Sequence, residues 1–188
     1  MAKRVHCPSY VKYRDENPDT VLAACCDLNE ESAETIRRDF GFEKAYTDYK
    51  KMLENEKPDA VCLIVPVRFT AEIAENVMNM GFNILMEKPP GINKAETEKL
   101  ICAAKKSGVI NMVAFNRRHT PLMIKLKELL KGEEIHNINC DLFRVARKES
   151  HFYTTAIHCI DAIKYIAGAD YKKVSFQQIG RASCRERV

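Results

Sequence analysis

The chain has 188 residues, 46% of them hydrophobic and 30% charged, with a net charge of +4. That length suits one full domain or one and a fraction, and the charge excess is too mild to argue for nucleic-acid binding. The longest apolar run, Ala60 to Val67, falls far below the ~18 residues of a membrane helix. Met1-Ala2-Lys3-Arg4-Val5-His6 lacks the apolar segment of a secretory signal, so a cytoplasmic protein with no membrane contact is expected. Eight cysteines contain no Cys-x-x-Cys pair. Cys25, Cys26, Cys62 and Cys140 fall in apolar, strand-like runs, which suits reduced, buried thiols.

Residues 2–14 read as a first helix, disturbed at Pro8. Thr20 to Asp27 reads as a buried strand closed by an acid. Asp27 has two open roles: capping the helix that follows, or accepting hydrogen bonds from the ribose hydroxyls of a dinucleotide. That helix, Asn29 to Phe40, presents Ala33, Ile36 and Phe40 on one face, and Gly41 ends it. Lys44 to Tyr46 is a short strand, and Asp48 to Glu56 a short helix. Ala60 to Val65 is the most apolar strand of the chain. It stops at Pro66, and Thr70 is the expected cap of the next helix. Apolar residues at positions 73, 77 and 80 make one face of that helix, and Gly81 terminates it.

Ile84-Leu85-Met86 then stops abruptly at Glu87-Lys88-Pro89-Pro90. A short apolar run after a helix reads as the second strand of a β-α-β unit. In open α/β sheets, ligands sit outside the carboxyl ends of the strands, which puts Glu87 and Lys88 at that rim. The same pair also reads as a surface ion pair ending a strand. Pro89 biases the backbone of Lys88 towards extended geometry. Asn93 caps a helix running to Ser107, which Gly108 stops. Ile110 to Phe115 is another buried strand, ending in Asn116-Arg117-Arg118. Pro121 to Lys131 is a helix, and Ile135 to Phe143 alternates as a strand with one solvated side. His158 lies early in a helix that ends near Gly168. Thr154 and Asp161 share its face, and Asp161 is placed to orient the imidazole. A helix histidine satisfied by Asp161 is the other reading, and Arg117 and Arg118 equally make a solvated basic patch. A last strand starts at Val174-Ser175-Phe176. The alternation predicts an α/β fold, a Rossmann-type doubly wound parallel sheet followed by the start of an α+β domain.

Glu87-Lys88-Pro89 after one strand and Asn116-Arg117-Arg118 after the next resemble the Gfo/Idh/MocA family of NAD(P)-dependent oxidoreductases, over about Ala2 to Gln178. The resemblance implies hydride transfer between a nicotinamide cofactor and a sugar, polyol or related carbonyl compound. It implies catalytic roles for Lys88 and His158. It implies cofactor contacts from Asp27, Leu28, Val65, Pro66, Glu87, Lys88 and Asn116, substrate contacts from Arg118, Thr154 and His158, and no metal. No arginine follows Asp27 to take a 2′-phosphate, which tilts the cofactor to NAD and leaves NADP open. Lys88 would take the proton of the substrate hydroxyl or orient that hydroxyl. Glu87 would favour the charged amine, so its side chain is expected to turn elsewhere, towards the nicotinamide ribose.

Two motifs depart from the family pattern. Where the family carries Thr-Pro-Asn-x-x-His, this chain reads Val65-Pro66-Val67-Arg68-Phe69-Thr70. Where it carries Asp-x-x-x-His-x-x-Asp, Thr154 takes the place of the first Asp, and a hydroxyl cannot accept a proton at neutral pH. The alternative function is therefore a non-catalytic relative that senses a cofactor or ligand. The partners expected are a sugar-like small molecule and a second copy in a homo-oligomer, with no nucleic acid.

The expected domains are a dinucleotide-binding domain over 1–116 and the start of a substrate and dimerisation domain over 117–178. Residues 179–188 break the pattern and read as a translated sequencing adapter, with a disordered basic tail as the alternative. At the front, the family places a strand and a Gly-x-Gly turn before the first helix, but here the chain opens on the helix. The first strand is thus expected to be missing from the sheet centre, between the strands ending at Asp27 and Val65. The chain as written is expected neither to bind NAD appreciably nor to fold stably alone.

Overall fold

The structure, a computed structural model, describes residues 1–143 and 153–175. It divides into two compact units, Met1–Ala114 and Phe115–Val188. The tail at 179–188 lies outside the described residues.

In the first unit, a 3-10 turn at Ala2–Arg4 leads into α1 (His6–Glu16). The helix therefore starts later than residue 2, and Pro8 does not disturb it. Pro8 occupies the third helical position, inside the first turn, where backbone N–H groups have no intrahelical acceptor to lose. Five strands follow, with helices between them: β1 (Ala24–Cys26), α2 (Glu30–Phe40), β2 (Lys44–Tyr46), α3 (Tyr49–Glu56), β3 (Ala60–Leu63), α4 (Val67–Asn79), β4 (Asn83–Met86), α5 (Lys94–Ser107) and β5 (Asn111–Val113).

Side chains at the helix starts explain the helix boundaries. The Asn29 side chain accepts from the Ser32 N–H at 2.8 Å and opens α2, whose first turn carries Glu30 and Glu31 and whose last turn carries Arg37 and Arg38. That charge order suits the helix dipole. Asp48 accepts from the Lys50 N–H at 2.9 Å and opens α3. Asn93 and Glu96 cap each other's backbone at α5: Asn93 accepts from the Glu96 N–H at 2.9 Å, and Glu96 accepts from the Ile92 N–H at 2.9 Å. Gly108 closes α5 at φ 69°, a left-handed conformation that glycine adopts without steric cost. Thr70 does not cap α4. The helix starts at Val67, after Pro66, so Thr70 falls inside it and is buried at 2% exposure.

All strand pairs are parallel, but they form two sheets rather than one. β1 pairs with β2, and Cys25 faces Ala45. β3 pairs with β4 and β4 with β5, with Leu63 opposite Met86 and Met86 opposite Val113. No ladder joins the β1–β2 pair to the β3–β4–β5 sheet among the described residues. The main core gathers Leu53, Leu63, Ala74, Val77, Met78, Ile84, Met86, Leu100 and Ala103, where α4 packs on β3, β4 and α5.

The second unit contains a 3-10 turn at Asn116–His119, α6 (Pro121–Leu129) and α7 (Tyr153–Ala167). Pro121 stands at the first position of α6, where its fixed φ is already helical. The Lys127 ammonium donates to the Ile166 carbonyl at 3.0 Å and ties α6 to α7. The expected strand over Ile135 to Phe143 is not formed, and Val174 and Ser175 begin none; Phe176 lies outside the described residues. Alternation makes a strand only when a neighbour completes its ladder. Residues 135–143 are largely exposed, Phe143 at 84%.

Candidate active site

In the first unit, the candidate residues cluster at strand ends because parallel strands finish on one edge of their sheet. Asp27 and Leu28 follow β1, Val65 and Pro66 follow β3, and Glu87 and Lys88 follow β4. Val65 and Lys88 each lie two residues beyond the paired Leu63 and Met86, and the ladder continues as the Glu87 N–H donates to the Leu63 carbonyl at 3.1 Å. Lys88 is partly buried, and Pro89 behind it is fully buried. The Lys88–Pro89 peptide is cis.

Asp27 is exposed. Its Oδ1 accepts the Asn29 N–H at 2.9 Å, so it orders the approach to α2 while Asn29 itself caps the helix. Leu28 beside it is 92% exposed, and Pro66 is exposed as the residue preceding α4.

The Glu87 carboxylate is held within the protein. Its Oε1 meets His6 Nε2 at 2.7 Å, with the two side chains 13% and 12% exposed. Its Oε2 accepts the Lys88 N–H at 3.2 Å. His6 Nδ1 lies 3.2 Å from the Tyr10 hydroxyl. Burial, reinforced by a hydrogen bond with Cys62 and by nearby acidic groups, pushes the Tyr10 phenol far up, so the hydroxyl keeps its proton. A carboxylate only accepts, so the 2.7 Å contact places a proton on Nε2, and the neutral ring then presents Nδ1 to the Tyr10 hydroxyl. This pairing ties the end of β4 to α1. His6 and Tyr10 are site residues that the sequence reading missed. Their spacing of four places them on one helix face, but nothing local points to a carboxylate 81 positions away.

In the second unit, Thr154, His158 and Asp161 all lie on α7, and Asn116 and Arg118 on the 3-10 turn. Asn116 is exposed. Asp161 gives its carboxylate to Arg118. The guanidinium Nε donates to Oδ2 at 2.9 Å and to Oδ1 at 3.1 Å, and Nη2 donates to Oδ1 as well. Arg118 also lies over Phe115 and Tyr165, 5.2 Å and 5.7 Å from the ring centroids. Both arrangements favour the planar cation, and the Asp161 hydrogen bonds push its pKa further up. Arg118 is thus half-buried and paired rather than part of a solvated patch.

The cysteines divide differently from expectation. Among the described residues none forms a disulfide, and Cys62 and Cys140 are exposed. Cys25 and Cys26 are partly covered, and burial pushes both thiols up to about 11. Also among the described residues, no helix is long and apolar enough to cross a membrane.

Comparison with known proteins accords with this architecture. The profile of the Gfo/Idh/MocA oxidoreductase family, described as an NAD-binding Rossmann fold, matches residues 4–115. The chain is 26% identical over 169 residues to myo-inositol 2-dehydrogenase of Thermotoga maritima, covering 83% of this chain and 50% of that protein. It is 25% identical over 205 residues to D-glucoside 3-dehydrogenase of Escherichia coli, covering 98% of this chain and 57% of that one. The chain therefore spans about half the length of the curated relatives it matches. Among solved structures, levoglucosan dehydrogenase in complex with NADH and levoglucosan superposes with a TM-score of 0.64 at 26% identity, covering 70% of this chain and 36% of that one. The chain belongs to the Gfo/Idh/MocA family of oxidoreductases with an NAD-binding Rossmann fold.

Proposed function

We propose that the protein carrying this chain moves a hydride between NAD and a sugar, a polyol or a related small hydroxy compound, with Lys88 as the base. The observation that carries this reading is the partly buried Lys88 at the carboxyl end of β4, between a Glu87 fixed by hydrogen bonds and the buried Pro89. Ligands of parallel sheets bind beyond that edge. Relatives named for acting on inositol, on glucosides and on levoglucosan support the substrate class.

NAD fits the residues present at its ribose and nicotinamide ends. Asp27 offers an exposed carboxylate past β1 for ribose hydroxyls, and Leu28, Val65, Pro66 and Asn116 would line the approach. When bound, NAD supplies the hydride acceptor. As the substrate C–H bond breaks with its electron pair, the hydroxyl proton would pass to Lys88 as the base and the O–H electron pair would complete the carbonyl. Glu87 holds the Lys88 backbone and is not the proton acceptor. Arg118, Thr154 and His158 are kept as substrate contacts, with Arg118 acting from within its pair with Asp161.

A second reading, a non-catalytic cofactor or ligand sensor, is favoured by Thr154, whose hydroxyl cannot serve as a base at neutral pH. Single-turnover reduction of bound NAD by a sugar panel, on the whole protein, separates the two. Reduction that disappears in Lys88→Met supports catalysis, and tight NAD binding with no reduction supports the sensor.

A further inference from the structure

The hydrogen-bonded series Tyr10–His6–Glu87 does more than satisfy a helix histidine. His6 is the first residue of α1, and its partner lies 81 positions on, at the end of β4. Both side chains are largely covered. A covered carboxylate needs hydrogen-bond donors, because the protein has displaced its water. Glu87 accepts from two donors that differ in kind: the His6 ring and the backbone N–H of Lys88. The carboxylate therefore bridges α1 to the peptide of the residue read above as the base. Its rotation is limited from the His6 side, and in turn it limits the Lys88 peptide. On the other flank, buried Pro89 fixes the chain that leaves Lys88.

We propose that His6 is a positioning residue: through Glu87 it sets the backbone of Lys88, and hence the point from which the Lys88 amine reaches the reacting hydroxyl. The proposal rests on the reading of Lys88 as the base. The Glu87 carboxylate can only accept, so Nε2–H donates to it, and Nδ1 of the neutral ring faces the Tyr10 hydroxyl. Misplacing a reacting group by about 1 Å costs roughly 100-fold in rate, so a small release of this corner has a large kinetic effect without any loss of binding.

The test compares His6→Ala with His6→Gln in the whole protein. Glutamine carries an amide N–H for Glu87 and a carbonyl for the Tyr10 hydroxyl. His6→Ala is expected to lower the single-turnover hydride-transfer rate by about 10- to 100-fold, to leave the Kd for NADH within about threefold, and to be largely rescued in His6→Gln. An unchanged rate in His6→Ala overturns the proposal. So does an equal loss in both variants that tracks a fall in Tm, because that pattern marks a merely structural role. Should the wild type transfer no hydride to any sugar, the catalytic reading fails by itself. Nitrogen-15 NMR of the whole protein then decides the positioning claim. The expected result is a neutral Nε2–H tautomer at His6 and a Lys88 amide resonance that moves in His6→Ala. An Nδ1–H tautomer, or an unmoved Lys88 amide, overturns it.

Discussion

Arg118 grips Asp161 with two of its nitrogens, and Asp161 keeps only 7% of its side chain exposed. The contact joins the 3-10 turn after Phe115 to the middle of α7, 43 positions later in the chain. Removing the acid strands a half-buried cation, and hydrogen bonds to charged groups contribute more than neutral ones. Asp161→Ala is therefore expected to lower stability by about 1–3 kcal/mol, read by urea denaturation. Arg118→Lys should lose part of that, since an ammonium keeps the charge but not the planar fork.

Lys88 gives the most direct test of the chemistry. Lys88→Met keeps the length of the side chain and removes its base. Hydride transfer is expected to fall by about 10²- to 10⁴-fold, with NADH affinity changed little. Stopped-flow fluorescence of the cofactor separates the two effects, and an unaffected transfer rate would remove Lys88 from the mechanism.

The acid limb of the stability curve should depend on Glu56. The Tyr46 hydroxyl, first, and the Lys44 ammonium at 3.0 Å hold its carboxyl below the usual value of 4.5. A depressed folded-state pKa stabilises the protein above the unfolded value, and that contribution is lost as the pH falls through the lower, folded value. Glu56→Gln should flatten the decline in Tm below about pH 4.5. Thermal melts across that range provide the check, and curves of identical shape would contradict it.

Asn93 caps α5 just after the Pro89-Pro90 corner. Asn93→Ala removes the acceptor of the Glu96 N–H and should cost about 1 kcal/mol. Asn93→Gly should cost only a few tenths of that unit. Paired chemical denaturation curves distinguish this cap from simple loss of side-chain packing.

What the amino-acid order determined by itself was local. Asp48 and Asn93 announce helix starts because a short polar side chain reaches the exposed N–H groups of the first turn, whereas at α2 the cap is Asn29 and not the expected Asp27. Gly41 and Gly108 announce helix ends because they accept positive φ. The abrupt change from Ile84-Leu85-Met86 to Glu87-Lys88-Pro89 places a strand end, and with it the rim where chemistry is expected. Pro8 misleads, because whether a proline disturbs a helix depends on the turn it occupies.

Tertiary structure decided which groups meet. Asp161 stands three residues after His158 on one helix, so proximity along the chain suggested that pair. What the fold adds is the guanidinium of Arg118, which offers that carboxylate two donors in a matching plane. Glu87 turns to His6 because α1 brings a ring donor to the end of β4. Ile135 to Phe143 has the alternation of a strand but no ladder to join. Periodicity and capping act over a few residues and are written in the sequence. Pairing between positions tens of residues apart depends on how elements pack, and only the fold supplies that.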